Sequence, residues 1–528
     1  SYTPCIPARV DNALPAVPLP LIAHLKRGSA VNHPTCPSQA GCQLSHGGFV
    51  SRREMLRIGS LGLLGLSLSE LLMLRGRGAS AAASASGFGK ARSCIVLFSW
   101  GGMSHLEGFD PKPDAPSEIR GEYQPIATAT PGAQIGQDLP LLARQTQRMA
   151  VVRSVTHEAS DHRKAAYWNL TGHRPLAPTV LDPIPPSRRD WPCLGSMVAW
   201  AAGSEALSRS ARAAVPAWSG GLSLPDRKAM PSAVTLPYPI ADRGLCNGQD
   251  GGFLGMPYDP LIVRPAAGKP FDGVSPEVGT ADLQLAEGVD AGRFDSRRQL
   301  LSRIEAGAEY LESAGAVRAH DHFRHRAMDM LTSPAVRAAF ELQREPAPLR
   351  EAYGDHICGQ SVLLARRLTE AGVPLVTVFC SAGDLNSGNG AHWDTHSRNF
   401  ERLKNDLFPP LDRAGAALLD DLASRGRLEE TLVVWMTEFG RTPKINGAAG
   451  RDHFPNCYSV AMAGGGVRGG QVYGRSDRHG TRPVDSPCGP ADLHATIFHA
   501  LGIDPETKLR DHLGREFPLT DGRPLPLF

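Results

Sequence analysis

An α/β fold with a largely parallel central sheet is predicted by three features of this sequence. Short, wholly apolar runs of strand length recur along it, among them CIVLFSW (94–100) and TLVVWMT (431–437). Amphipathic stretches of helical period separate them, such as ICGQSVLLARRLTEAG (357–372). The strand runs are apolar on both sides instead of alternating, the pattern of strands covered on both faces by helices.

In chain order, CIVLFSW and MAVVRSV (149–155) read as buried strands. HRKAAYWNLTG (162–172) reads as a helix closed by Gly172, because glycine takes the left-handed conformation that ends a helix without strain. Residues 175–290 are rich in Pro and Gly with few periodic segments, and are expected to be a loop-rich insertion. Helical character returns from 297 to about 339, then over 357–372, followed by strand VPLVTVFC (373–380). A helix over 397–424 is expected to break or kink at Pro409-Pro410. Strands 431–437 and 458–464 and helix 491–502 complete the pattern. In such sheets ligands bind beyond the carboxyl ends of the strands.

The 56 Lys and Arg against 53 Asp and Glu leave a net charge of +3, with no concentrated basic tract, which argues against nucleic acid as a partner. Residues 1–50 are Pro-rich and aperiodic, and are expected to be a disordered leader or a mis-assigned start. Over 51–86, Arg52-Arg53 precede the apolar stretch 58–74 and then the small-residue run ASAAASAS. That order is similar to a twin-arginine export signal, so a periplasmic or extracellular location is expected. Glu70 interrupts the apolar run, so no stable transmembrane anchor is expected. Three of the ten cysteines (Cys5, Cys36, Cys42) fall in the leader, and the other seven are dispersed without a CxxC pair, which disfavours a zinc ribbon. The glycine run 464–470 lacks the Lys-Ser/Thr of a phosphate loop and reads as a turn.

The chemistry concentrates between His392 and His453. His392, Asp394 and His396 alternate in HWDTH, and in extended backbone alternate residues project to one side. Glu438 leaves an apolar strand, where a carboxylate must be paired, hydrogen-bonded or metal-bound. Asp452-His453 follow in RDHFP. Imidazole and carboxylate together suit a divalent metal, zinc foremost, with Mn, Ca or Mg as alternatives.

Several motifs carry a family resemblance. SWGGMSHLEGFDPKPDAPSEIRGE, VRSVTHEASDHRKAAYWNLTGHRP, HWDTHSRNF, TEFGRTPKINGAAGRDHFP and DLHATIFHALGID resemble the bacterial exported family labelled "domain of unknown function 1501", from about Ser51 to the C-terminus. That family is placed in the alkaline phosphatase–sulfatase superfamily. The resemblance therefore implies a three-layer α/β/α, alkaline-phosphatase-like single domain over 87–528. AAYWNLTGHRP looks like the helix that follows a sulfatase nucleophile, and TLVVWMTEFGRTP like the strand that delivers a metal-binding Asp-His pair.

The departures narrow the chemistry. Glu438-Phe439 stands where the enzymes carry Asp-His, and the first strand runs into Gly101-Gly102 with no carboxylate before Glu107 or Asp110. The nucleophile position falls on His162, and no Cys-x-Pro-x-Arg is present, so a sulfatase of the usual type is not expected. Ser104, Thr156 and Ser160 are nearby hydroxyls, none singled out as activated. The mechanism expected is one or two divalent ions held by some of Asp394, His396, Glu438, Asp452 and His453, with His157 or His162. Such ions would activate water against a phosphate or sulfate ester, a small anionic ester or a sulfated or phosphorylated glycan. Arg441 or Arg163 would clamp the anion. His162 is alternatively a ligand or a nitrogen nucleophile. The competing expectation is a catalytically degenerate member acting as an exported binding or assembly protein.

Overall fold

The computed structural model describes residues 87–175, 185–203, 229–264, 288–306, 324, 327–381, 385–386 and 392–528. The stretches expected to be a leader (1–50) and an export signal (51–86) lie outside them. All described residues belong to one compact unit within Leu72–Phe528.

Eight strands build the central sheet: β1 (Ser93–Phe98), β2 (Met149–Val155), β3 (Val234–Leu236), β4 (Leu261–Ile262), β5 (Leu375–Phe379), β6 (Thr431–Met436), β7 (Tyr458–Ala463) and β8 (Gln471–Tyr473). Their order across the sheet is β8-β2-β7-β6-β1-β5-β3-β4. Every strand runs parallel except β7, which lies antiparallel between β2 and β6. The largely parallel sheet expected from the apolar runs is therefore present.

Alternation along each strand divides the core in two. Ile95 and Leu97 of β1 face one cluster, packed under helices α3 (Ile357–Glu370) and α4 (Phe408–Ser424). Cys94, Val96 and Phe98 face the other, under α1 (His162–Thr171), α2 (Leu194–Gly203) and α5 (Pro490–Ala500). Each large aliphatic side chain so buried contributes roughly 1.5–3 kcal/mol, which is why strands with no polar face are stable only here.

Two local readings differ from the sequence pattern. The stretch 175–290 supplies α2 and the last two strands of the sheet, β3 and the edge strand β4, not loops alone; parts of it (176–184, 204–228, 265–287) lie outside the described residues. Helix α2 (LGSMVAWAAG) is apolar all round, so it shows no amphipathic period to read. The break in 397–424 lies one turn before the prolines, as a π-turn over Leu403–Leu407. Pro409 and Pro410 sit in the first turn of α4, where their missing N–H groups leave no bond unmade.

The carboxyl edge of the sheet gathers the functional candidates. β1 leads to Gly101, β2 to His157 and His162, β5 toward Asp394 and β6 to Glu438. Because β7 is antiparallel, its amino end lies at this same edge, and Asp452-His453 precede it. All seven cysteines in this unit are buried free thiols. Among the described residues no helix is long and apolar enough to cross a membrane.

Candidate metal centre

His162 opens α1, whose first turn is capped by the Asp161 carboxylate accepting the Lys164 N–H at 3.1 Å. Glu438 is fully buried one turn of chain beyond β6. Its Oε1 accepts the Gly101 N–H at 2.9 Å and lies 2.6 Å from His162 Nδ1. A short hairpin then pairs Gly440–Arg441 with His453–Phe454, returning Asp452 and His453 to the site.

Asp394 arrives over two glycines. Gly101 and Gly102 have φ of +112° and +82°, and a Cβ on Gly101 would stand 2.5 Å from Asp394 N. The Trp393 N–H donates to Trp100 O at 3.0 Å, locking this loop onto the end of β1. The absence of a carboxylate after the first strand is thus explained: the space is filled by Asp394 from a distant loop and by Glu438 on the glycine N–H.

Three imidazoles converge on one carboxylate oxygen. Asp394 Oδ1 lies 3.3 Å from His162 Nε2, 3.1 Å from His396 Nε2 and 3.3 Å from His453 Nε2. Each ring has its other nitrogen engaged: His162 Nδ1 with Glu438, His396 Nδ1 with Asp452 Oδ1 at 2.7 Å, and His453 Nδ1 with the Ser160 carbonyl at 2.8 Å. Carboxylates and a carbonyl only accept, so they place the proton on Nδ1 and leave the Nε2 lone pairs facing inward. His396 Nε2 and His453 Nε2 are 2.9 Å apart, and His162 Nε2 is buried without a hydrogen bond. Lone pairs this close repel unless a proton or a cation lies among them. The ligand atoms of His162, Asp394 and His453 all lie within 4.8 Å of one another. The residues present therefore fit a cation, with His162, Asp394 and His453 as candidate direct donors, the more exposed His396 as a candidate fourth beside them, and Glu438 and Asp452 as carboxylates placed to orient the rings.

The electrostatics agree with a site built to concentrate negative charge on Asp394. Burial works to raise its pKa, but the His162, His396 and His453 rings around it and the Arg441 charge hold it well below the usual carboxylate range. Burial pulls the His162 pKa down, yet Asp394 and Glu438 raise it overall. For His396 the Asp394 hydrogen bond raises it, while burial lowers His453.

The remaining candidates sit differently. His157 Nδ1 accepts the Ala159 N–H and Nε2 lies 2.7 Å from the Glu438 carbonyl, so its ring braces the backbone of Glu438; burial lowers its pKa to about 4. His392 is not joined to the cluster by any hydrogen bond from its ring, and burial lowers it too, to about 4. Arg163 turns away, donating to the carbonyls of Asp242, Gly244 and Leu245. Arg441 is fully buried and donates to Asp394 Oδ1 at 2.6 Å and to the carbonyls of Gly101, Gly102 and Arg451. Neither guanidinium is presented to an incoming anion. Ser104, Thr156 and Ser160 make no side-chain hydrogen bond to the four donor residues, and the Thr437 hydroxyl, 3.3 Å from Glu438 Oε2, donates to Ser99 O at 2.9 Å.

Sequence reading missed the braces behind the ligand loops. Arg451, fully buried, makes a two-pronged ion pair with Glu107 at 2.6 and 3.1 Å. Glu107 also accepts from Asn399, which takes the Thr395 hydroxyl at 2.6 Å. One buried network thus ties the Asp394–His396 loop to the Asp452–His453 hairpin. The available signal was Arg451 directly before the Asp-His pair.

A family model described as "Protein of unknown function (DUF1501)" matches residues 91–526. No curated protein sequence matches significantly. Solved structures with partial likeness include the PsFucS1 sulfatase from Pseudoalteromonas sp., at 10% identity and TM-score 0.33 over 80% of this chain and 70% of that one. A Bacteroides thetaiotaomicron protein from work on metabolism of multiple glycosaminoglycans matches at 10% identity and TM-score 0.33, over 81% and 83%. The phosphonate monoester hydrolase SpPMH from Silicibacter pomeroyi matches at 17% identity and TM-score 0.16, over 24% and 21%.

Proposed function

This chain belongs to the DUF1501 family, and from its site we propose an exported, metal-dependent hydrolase of phosphate or sulfate esters. The observation that carries the reading is the convergence of the Nε2 atoms of His162, His396 and His453 on Asp394 Oδ1. Its motifs also suggest the alkaline-phosphatase-like version of the α/β fold, with the export signal in 51–86 giving a periplasmic or extracellular location. The ester class is a small anionic ester or a sulfated or phosphorylated glycan.

Three imidazoles and one carboxylate suit zinc or manganese better than calcium or magnesium, which prefer all-oxygen surroundings. A divalent ion bound there supplies Lewis acidity and lowers the pKa of water. The protein's own residues do the rest. Glu438 and Asp452 fix the ring tautomers of His162 and His396. Arg441 and the Gly101 N–H balance the half-buried Asp394 and the buried Glu438 carboxylates. His396 and Asp452, about half exposed, leave the solvent side open to a substrate. Among the described residues no serine, threonine or cysteine side chain bonds to the donor residues, so water is the nucleophile in this reading.

The second reading is a non-catalytic exported binding protein that keeps the centre. It is favoured by the burial of Arg441 and the turning away of Arg163, which leave neither candidate arginine placed to clamp an ester. One experiment separates the two: metal content by mass spectrometry of the purified chain, with assay of an aryl phosphate, a phosphodiester and an aryl sulfate. The hydrolase reading expects stoichiometric transition metal, lost in His396→Ala/Glu438→Ala, and turnover of at least one ester. Metal without turnover selects the binding protein, and folded, metal-free protein removes both versions of the centre.

A further inference from the structure

A second cavity lined by charged side chains lies at the outer edge of the sheet. After edge strand β8 the chain passes Gly474 into a small hairpin that pairs Arg475–Ser476 with Pro483–Asp485. Between this hairpin, Arg153 of β2 and Lys112 is a cavity of about 640 Å³, within the usual range for small-ligand sites. Its lining holds four cationic side chains, Lys112, Arg153, Arg475 and Arg478, against two carboxylates, Asp110 and Asp477.

Both carboxylates are already engaged. Asp110 takes Lys112 Nζ at 2.8 Å and the Ser476 hydroxyl. Asp477 accepts the N–H groups of His479 and Thr481 at 3.1 and 2.8 Å and the Thr481 hydroxyl. The cations are not equally satisfied. Arg153 Nε is buried without a hydrogen-bond acceptor, 3.5 Å from Asp110 Oδ1. Arg475 and Arg478 are exposed, and their side chains make no ion pair or hydrogen bond with the described residues. Val472 and Val484, 40% and 48% exposed, line the same cavity with apolar surface.

Free guanidinium forks match the oxygens of a tetrahedral oxyanion in pairs. We propose that this cavity binds the sulfate or phosphate group of an anionic ligand, held by Arg475 and Arg478, with Val472 and Val484 against the ligand's apolar part. The site needs no metal and does not depend on the hydrolase reading.

The test is calorimetric titration of the full chain, treated with chelator, at low ionic strength. The probes are inorganic sulfate, inorganic phosphate and N-acetylglucosamine 6-sulfate. Wild type and His396→Ala are expected to bind alike, and Arg475→Ala/Arg478→Ala at least tenfold more weakly. Both arginines are exposed and unpartnered, so this variant keeps the fold. Tighter binding of the sugar ester than of the inorganic ions identifies an ester as the ligand, and equal binding identifies the free ion. Three results overturn the proposal: unchanged affinity in the double variant, loss of binding in His396→Ala, or equal displacement by chloride at matched ionic strength.

Discussion

His162 Nδ1 lies 2.6 Å from Glu438 Oε1, and both side chains are buried at the carboxyl edge of the sheet. The contact turns the other nitrogen of His162 toward Asp394, so Glu438 acts on the centre through the ring it orients. Replacing Glu438 with Gln keeps the shape but removes the charge that favours the Nδ1–H tautomer. Metal affinity is expected to fall about 10- to 100-fold, the range for lost outer-shell partners, measured by competition with a chromophoric chelator. Unchanged affinity would show that Glu438 does not tune His162.

Direct donors should matter more than the residues around them. His162→Ala and Asp394→Asn are each expected to abolish stoichiometric metal, whereas His392→Ala retains it. Elemental analysis of the three folded variants decides the ranking. Loss of metal in His392→Ala alone would contradict the assignment.

Gly101 is tested by adding one methyl group. Alanine there meets Asp394 N at 2.5 Å and Trp393 N at 2.7 Å and must adopt φ near +112°. The strained backbone alone costs about 1–3 kcal/mol. Gly101→Ala is expected to lower the denaturation midpoint and weaken metal binding together, because the loop that carries Asp394 must move. Gly132→Ala, with nothing within 4 Å of the added methyl, should leave metal binding as it was.

Arg451 and Glu107 form a fully buried ion pair beneath the ligand loops. Removing one partner strands a charge, and Arg451→Met is expected to destabilise by roughly 3–5 kcal/mol in urea denaturation. A double change, Glu107→Gln/Arg451→Met, should recover part of that loss. Full stability in the single variant would mean that the pair is not buried in solution.

Acid should weaken the fold through buried histidines outside the candidate donor set. His494 is buried, with Nε2 2.8 Å from the Asn169 carbonyl, and burial lowers its pKa from 6.5 to about 4. The native state keeps the ring neutral while the unfolded chain takes up a proton below about 6.5. Its contribution is therefore complete above pH 6.5 and is lost as pH falls toward 4, by roughly 3 kcal/mol. His356, also lowered to about 4 by burial, adds in the same direction. Urea midpoints of wild type and His494→Gln between pH 7.5 and 4.5 are expected to diverge less at acid pH than at neutral pH. Parallel curves would remove His494 as a cause.

The sequence alone showed the long central strands, the parallel character of the sheet and which residues are candidate donors, because burial on two faces leaves an apolar run and imidazoles and carboxylates are few; the short strands β3, β4 and β8 it did not show. It showed Glu438 at a strand end and two glycines after the first strand. It did not show what those features were for. That Asp394 is the meeting point, that Glu438 and Asp452 stand behind the rings, and that Arg441 and Arg163 are tied to carbonyls were decided by contacts between residues far apart in the chain. The reversal of β7 is the clearest case. A fully buried strand reads the same in either direction, so only its pairing with β2 and β6 sets which end meets the site, and that direction brings His453 to His162.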